Sequence, residues 1–167
     1  MRAVILYILA AILAMAFQLL LLENVQLLGY LNPYYYPILL VLWPLKWNRA
    51  AGLLVAFALG MTLDLFENSG GLHASACVLL VYLQPYLAKS LVARALEEGQ
   101  SLTLLALGSS KFLTLTAMCM FVFHFWLFLL ESFAFNEFFF VLFRTVLSTA
   151  VSTAMIYATQ LLMVTRE

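Results

Sequence analysis

Residues 52–73, GLLVAFALGMTLDLFENSGGLH, decide the fold. The stretch opens as an apolar run with a small residue at every fourth place: Gly52, Ala56 and Gly60. The next step on that row is Asp64, a carboxylate inside an otherwise apolar run. Residues four apart stack on one face of a helix, so the row predicts a groove where another helix approaches, tipped by a charge. Glu67-Asn68-Ser69-Gly70-Gly71 then stops the helix, and a second apolar run opens with Leu72-His73. The pattern is a helical hairpin, and the rest of the chain reads as its surroundings.

Those surroundings are apolar too. Of 167 residues, 66% are hydrophobic and 10% charged, with a mean hydropathy of +1.05. A soluble domain carries about 25% charge, so this chain cannot cover itself in water and belongs in a bilayer. At about 20 residues per span, the length suits an all-α integral membrane protein of six transmembrane helices forming a single domain. Net charge is zero, which gives no basic patch for nucleic acid or anionic lipid. Cys77 and Cys119 both lie in apolar runs and read as small buried hydrophobes. One Arg followed by a long apolar run, with no small-residue cleavage site, reads as a retained first span.

The expected spans are 3–22, 34–47, 50–66, 72–88, 102–130 and 138–164, with 89–100 as a cytoplasmic surface helix. The first carries Gln18 as its interior polar group and Ala10 and Ala14 as a weak small-residue face. The second is short and holds Pro37 and Pro44. Its Tyr34-Tyr35-Tyr36 cluster at one end and Trp43 and Trp47 at the other suit the two interfacial belts. The fifth is too long for a perpendicular crossing, and tilt or an interfacial first turn would absorb the excess. With the N-terminus in the cytoplasm, Arg2, Lys46, Arg49, Lys89, Arg94 and Arg166 fall on cytoplasmic segments, while loops 23–33, 67–71 and 131–137 hold no Lys or Arg. The positive-inside rule therefore places both termini in the cytoplasm.

Polar groups inside the spans are the candidate functional residues. Asp64 sits about 21 Å along its helix, near the outer boundary. It is either a partner-contacting or pocket group, or an ion pair or cap for the turn that follows. Arg144 has comparable depth, and a salt bridge to Asp64 is the economical expectation, with Glu137 as a competitor. His73 lacks a second ligand at metal spacing. His124 in FVFHFW reads as an interhelical hydrogen-bonder. Lys111 either snorkels or lines a cavity with Ser109, Ser110 and Thr114. Thr145, Ser148, Thr149, Ser152 and Thr153 form a hydroxyl face suited to close helix packing. Phe133, Phe135 and Phe138 to Phe140 suit interfacial anchoring. No phosphate loop, HExxH motif or nucleophile–base spacing appears, so no enzyme, cofactor or metal is expected.

The region from Asn32-Pro33 through the Pro44-to-Arg49 turn to Gly60, Asp64, Gly71 and Leu72-His73 resembles the rod shape-determining protein MreD family. The resemblance covers about a third of the chain, residues 32–87. It implies a non-enzymatic scaffold of the cell-elongation machinery in the bacterial cytoplasmic membrane. Such a scaffold binds the single-span protein MreC and acts with MreB and the wall synthases in lateral peptidoglycan synthesis. It also implies a fold similar to the substrate-binding subunit of energy-coupling-factor transporters. Gly60, Asp64, Gly71 and His73 would then sit at a cavity mouth or partner contact. Gly52, Ala56 and Arg144 join them as candidate partner or cavity residues. The alternative function is a vitamin-binding transport subunit, with Ala10 and Ala14 facing an energising partner and the tyrosine cluster and loop 23–33 as its candidate lid.

Overall fold

The computed structural model describes residues 2–22, 32–97, 101–132 and 138–165, with side chains described from Ile5 onward and not at 94–97. Expectations placed on 23–31, 98–100, Phe133, Phe135, Glu137, Arg166 and the Arg2 side chain lie outside the described residues. Every regular element is helical among those described: α1 Arg2–Phe17, α2 Ile38–Val41, α3 Arg49–Glu67, α4 Leu72–Glu97, α5 Leu104–Leu107, α6 Ser109–Ser132 and α7 Phe138–Val164. A π-helical turn, Gln18–Leu22, extends α1. Five helices are long and apolar enough to cross a bilayer: Ile5–Leu22, α3, α4, α6 and α7. The chain is an all-α, multi-pass membrane protein.

The expected helical span 34–47 is not a helix. Only Ile38–Val41 is helical, and the segment around it runs irregularly. Pro37 sits just before this turn and Pro44 just after it, and proline removes a backbone donor and blocks the preceding turn. The segment is nonetheless in the core: Tyr36 and Leu40 have no exposed surface, and Tyr34 and Trp43 are buried. Tyr34, Tyr36 and Trp43 are therefore interior groups, with Tyr35 half-buried against them, and not the interfacial belts that their positions suggest.

Contacts fix the direction of each pass. Gly60 meets Ala74 beside the 68–71 turn, and at the far end Arg49 reaches Tyr82, so α3 and α4 are antiparallel. Gln18 bonds to Pro33, and the Tyr7 ring lies against Trp43 and Trp47, so α1 and the irregular segment are antiparallel too. Arg144 beside Glu131, and Thr149 and Ser152 beside His124, set α7 antiparallel to α6.

Two further boundaries differ from expectation. The long fifth span is α5 and α6 separated by Gly108, whose φ of +77° suits glycine. Lys111 consequently stands in the first turn of α6, exposed, and not deep in a span. The expected surface helix after residue 88 is, as far as Glu97, a continuation of α4 past a break at Val92 (φ −134°, ψ 30°). On α1, Ala14 is buried in the core while Ala10 is exposed, so the two do not share one free face.

Candidate functional site

Non-helical backbone at membrane depth must have its N–H and C=O groups satisfied by protein. Polar side chains from α1, α4 and α7 do this for the irregular segment. Ser148 Oγ accepts from Asn32 N (3.3 Å) and Ser152 Oγ from Tyr34 N (3.0 Å). Gln18 Oε1 accepts from Tyr35 N (2.8 Å), while its Nε2 donates to the Pro33 carbonyl (3.4 Å). Tyr7 donates to the Leu39 carbonyl (2.7 Å). Gln84 Nε2 donates to the carbonyls of Val41 (2.8 Å) and Trp43 (3.2 Å). The hydroxyl face of α7 thus does more than let helices pack closely: two of its members hold the backbone of the irregular segment.

The candidate row on α3 turns inward. Ala56 has no exposed surface, and Gly52, Gly60 and Asp64 are buried. At Gly60 a Cβ would fall against the backbone of α4, 2.5 Å from Ala74 N. At Gly52 it would meet the Trp43 ring at 2.9 Å. The groove predicted from the small residues exists, and its occupants are this chain's own Ala74 and Trp43. Gly71, with φ +98° and open space around its Cα, serves the turn.

Asp64 is the cap of that turn. Its side chain accepts from Ser69 Oγ (2.5 Å), from His73 N (3.0 Å) and from Ala74 N (2.8 Å), satisfying first-turn amides of α4. The expected pairing with Arg144 does not form. Arg144 instead binds Glu131 at the end of α6 (2.9 Å) and lies over the Phe128 ring at 4.1 Å. The physical reason is competition: Asp64 already has several donors within reach of a tight turn, and Arg144 has a carboxylate of its own on the adjoining helix.

His73 links the turn to the irregular segment. Its Nε2 lies 2.8 Å from Glu67 Oε2 and its Nδ1 3.1 Å from the Tyr36 hydroxyl, which is 3.3 Å from Cys77 Sγ. His124 is the interhelical hydrogen-bonder expected of it, with Nδ1 2.8 Å from the Met120 carbonyl and 3.3 Å from Thr149 Oγ1. The Tyr34 ring packs edge-on against His73 and Phe123 and tilted against His124 (centroids 5.1–5.8 Å). Aromatic rings thus fill the space between α4, α6 and α7. Among the described residues no three His, Cys, Asp or Glu side chains are grouped to hold a metal ion.

Tyr7, Tyr36 and Gln84 are structural residues the sequence did not single out. Gln84 had a signal, being an amide inside an apolar run. Tyr36 had none that separated it from its two neighbours. Comparisons with known protein families, with curated proteins and with solved structures found no match.

Proposed function

We propose that the chain is a six-pass, non-enzymatic scaffold of the bacterial cytoplasmic membrane with both termini in the cytoplasm. On this reading the irregular segment 32–48 is the second of the six passes. The motif residues that carry the resemblance to the MreD family are the ones that build the broken pass and the capped turn. The proposed partner is a single-span, MreC-like protein, through which MreB and the wall synthases are reached.

One observation carries this reading: α3 is gripped on one face and open on the other. Gly52, Ala56 and Gly60 pack inward, while Ala51, Ala58 and Thr62 are exposed, with exposed Leu54 and Leu65 alongside them. Small residues let a second transmembrane backbone approach closely, so the open face is the proposed seat of the partner's helix. Co-purification with an MreC-like protein tests it. Ala58→Trp should abolish recovery of the partner and leave the chain folded; unchanged recovery would refute the open face as the seat. A vitamin-binding role has one observation in its favour, the broken pass, since discontinuous helices line binding sites in transporters. A stoichiometric small molecule retained through purification would support it.

A further inference from the structure

A second surface feature joins a charge to an apolar groove. The groove, about 550 Å³, has α4 as its floor from Ala74 to Tyr82, with Gly71 of the preceding turn at one end and Phe57 and Met61 of α3 and Trp126 of α6 as walls. Along α4 it is about 12 Å long at 1.5 Å per residue. Tyr82 closes its far end and also supports Arg49, whose guanidinium lies 4.9 Å from the Tyr82 ring and 5.3 Å from that of Tyr86. Arg49 Nη2 donates to the Tyr82 carbonyl (3.1 Å) and the Tyr86 hydroxyl (3.5 Å). Its Nη1 and Nε make no bond to any described residue, and the side chain is exposed. The guanidinium is therefore held in place with donors left over, directly at the mouth of an apolar channel.

We propose that this is a binding site for one anionic phospholipid, its phosphate on Arg49 and one acyl chain in the α3–α4–α6 groove. A guanidinium matches phosphate oxygens with paired donors, and net charge selects the headgroup, because a zwitterionic lipid brings a second cation beside Arg49. The almost wholly apolar lining of the groove suits an acyl chain. Tyr82 couples the two halves, since it touches both the charge and the channel. The inference rests on the membrane assignment alone and is independent of the scaffold reading.

Native mass spectrometry of the full chain, released from detergent with equal phosphatidylglycerol and phosphatidylcholine, tests it. The wild type should retain one phosphatidylglycerol in preference to phosphatidylcholine. Arg49→Gln should reduce that preference about fivefold, the worth of one cation near a lipid surface. Lys111→Gln, at the exposed start of α6, should leave it unchanged. Val78→Trp, or Met61→Trp if the first variant misfolds, should abolish retention of both lipids. An Arg49→Gln preference equal to wild type, or undiminished retention in the filled groove, overturns the site. A photo-crosslinking residue at position 79 should label phospholipid in native membranes; labelling of another helix, from a second copy or a different protein, also overturns it.

Discussion

Asp64 caps a helix that is not its own. It sits near the C-terminal end of α3, and its two carboxylate oxygens accept from His73 N and Ala74 N in the first turn of α4. A negative group at a helix N-terminus is favoured by the amides and the helix dipole together. The same carboxylate also accepts from Ser69 Oγ, and its backbone carbonyl accepts from Asn68 and Ser69, so one residue organises the whole turn.

Asp64→Ala leaves those donors unsatisfied. Hydrogen bonds to a charged group contribute about 1.5–3 kcal/mol each; with partial hydration near the turn, a net loss of about 3 kcal/mol is expected. Asp64→Asn should be milder, since one acceptor oxygen remains. Reversible denaturation in mixed micelles measures both. Equal losses for the two variants would show that the carboxylate is not acting as an acceptor pair.

Charge reversal separates the pairing found from the pairing expected from sequence. Asp64→Arg should not be rescued by Arg144→Asp, because the two side chains have different partners. Glu131→Arg combined with Arg144→Glu should recover part of what either single change loses. A double-mutant cycle reads the coupling directly, and rescue of the first pair would contradict this arrangement.

The glycines of α3 should differ in sensitivity. A methyl at Gly60 meets α4 backbone, whereas one at Gly52 meets the Trp43 ring, a side chain able to shift. Overpacking costs about 1–3 kcal/mol. Gly60→Ala should fall at or above the top of that range and Gly52→Ala at the bottom. Thermal unfolding of the two variants ranks them, and the reverse order would be inconsistent with the α3–α4 crossing.

Gln84→Leu tests what holds the irregular segment. It removes the donor to the Val41 and Trp43 carbonyls, and orphaned buried acceptors cost about 1–3 kcal/mol each. The loss should exceed that of Ser148→Ala, whose bond to Asn32 N is longer and only part-buried. A loss no greater than that of Ser148→Ala would mean that the carbonyls have another source of hydrogen bonds.

The two thiols should be inert. Cys77 and Cys119 have no exposed surface, so a membrane-permeant maleimide should label neither in the folded chain and both after denaturation. Rapid labelling of Cys77 in the native protein would show that the Tyr36–His73 contact opens readily.

Much of this architecture is local chemistry and hence legible in the chain. Apolar runs of spanning length, the breakers at Asn68 to Gly71 and the four-residue step of Gly52, Ala56 and Gly60 each dictate their result without reference to distant residues. They gave the membrane class, the α3–α4 hairpin and a close-packed face on α3. Gln18 and the α7 hydroxyls were marked as interior polar groups, because a lone polar residue in an apolar run must find a partner.

The identity of those partners was beyond reach, for it depends on which passes become neighbours. Asp64 and Arg144 have compatible depth, but the fold gives each a nearer partner. Tyr34 to Tyr36 and Trp43 match an interfacial belt by position and composition. Only the tertiary structure decides that the Pro37–Pro44 segment leaves the helical path and that Tyr34, Tyr36 and Trp43 end in the core. Periodicity fixes which residues share a face; what that face meets is set by contacts between passes far apart in sequence, and no local pattern encodes it.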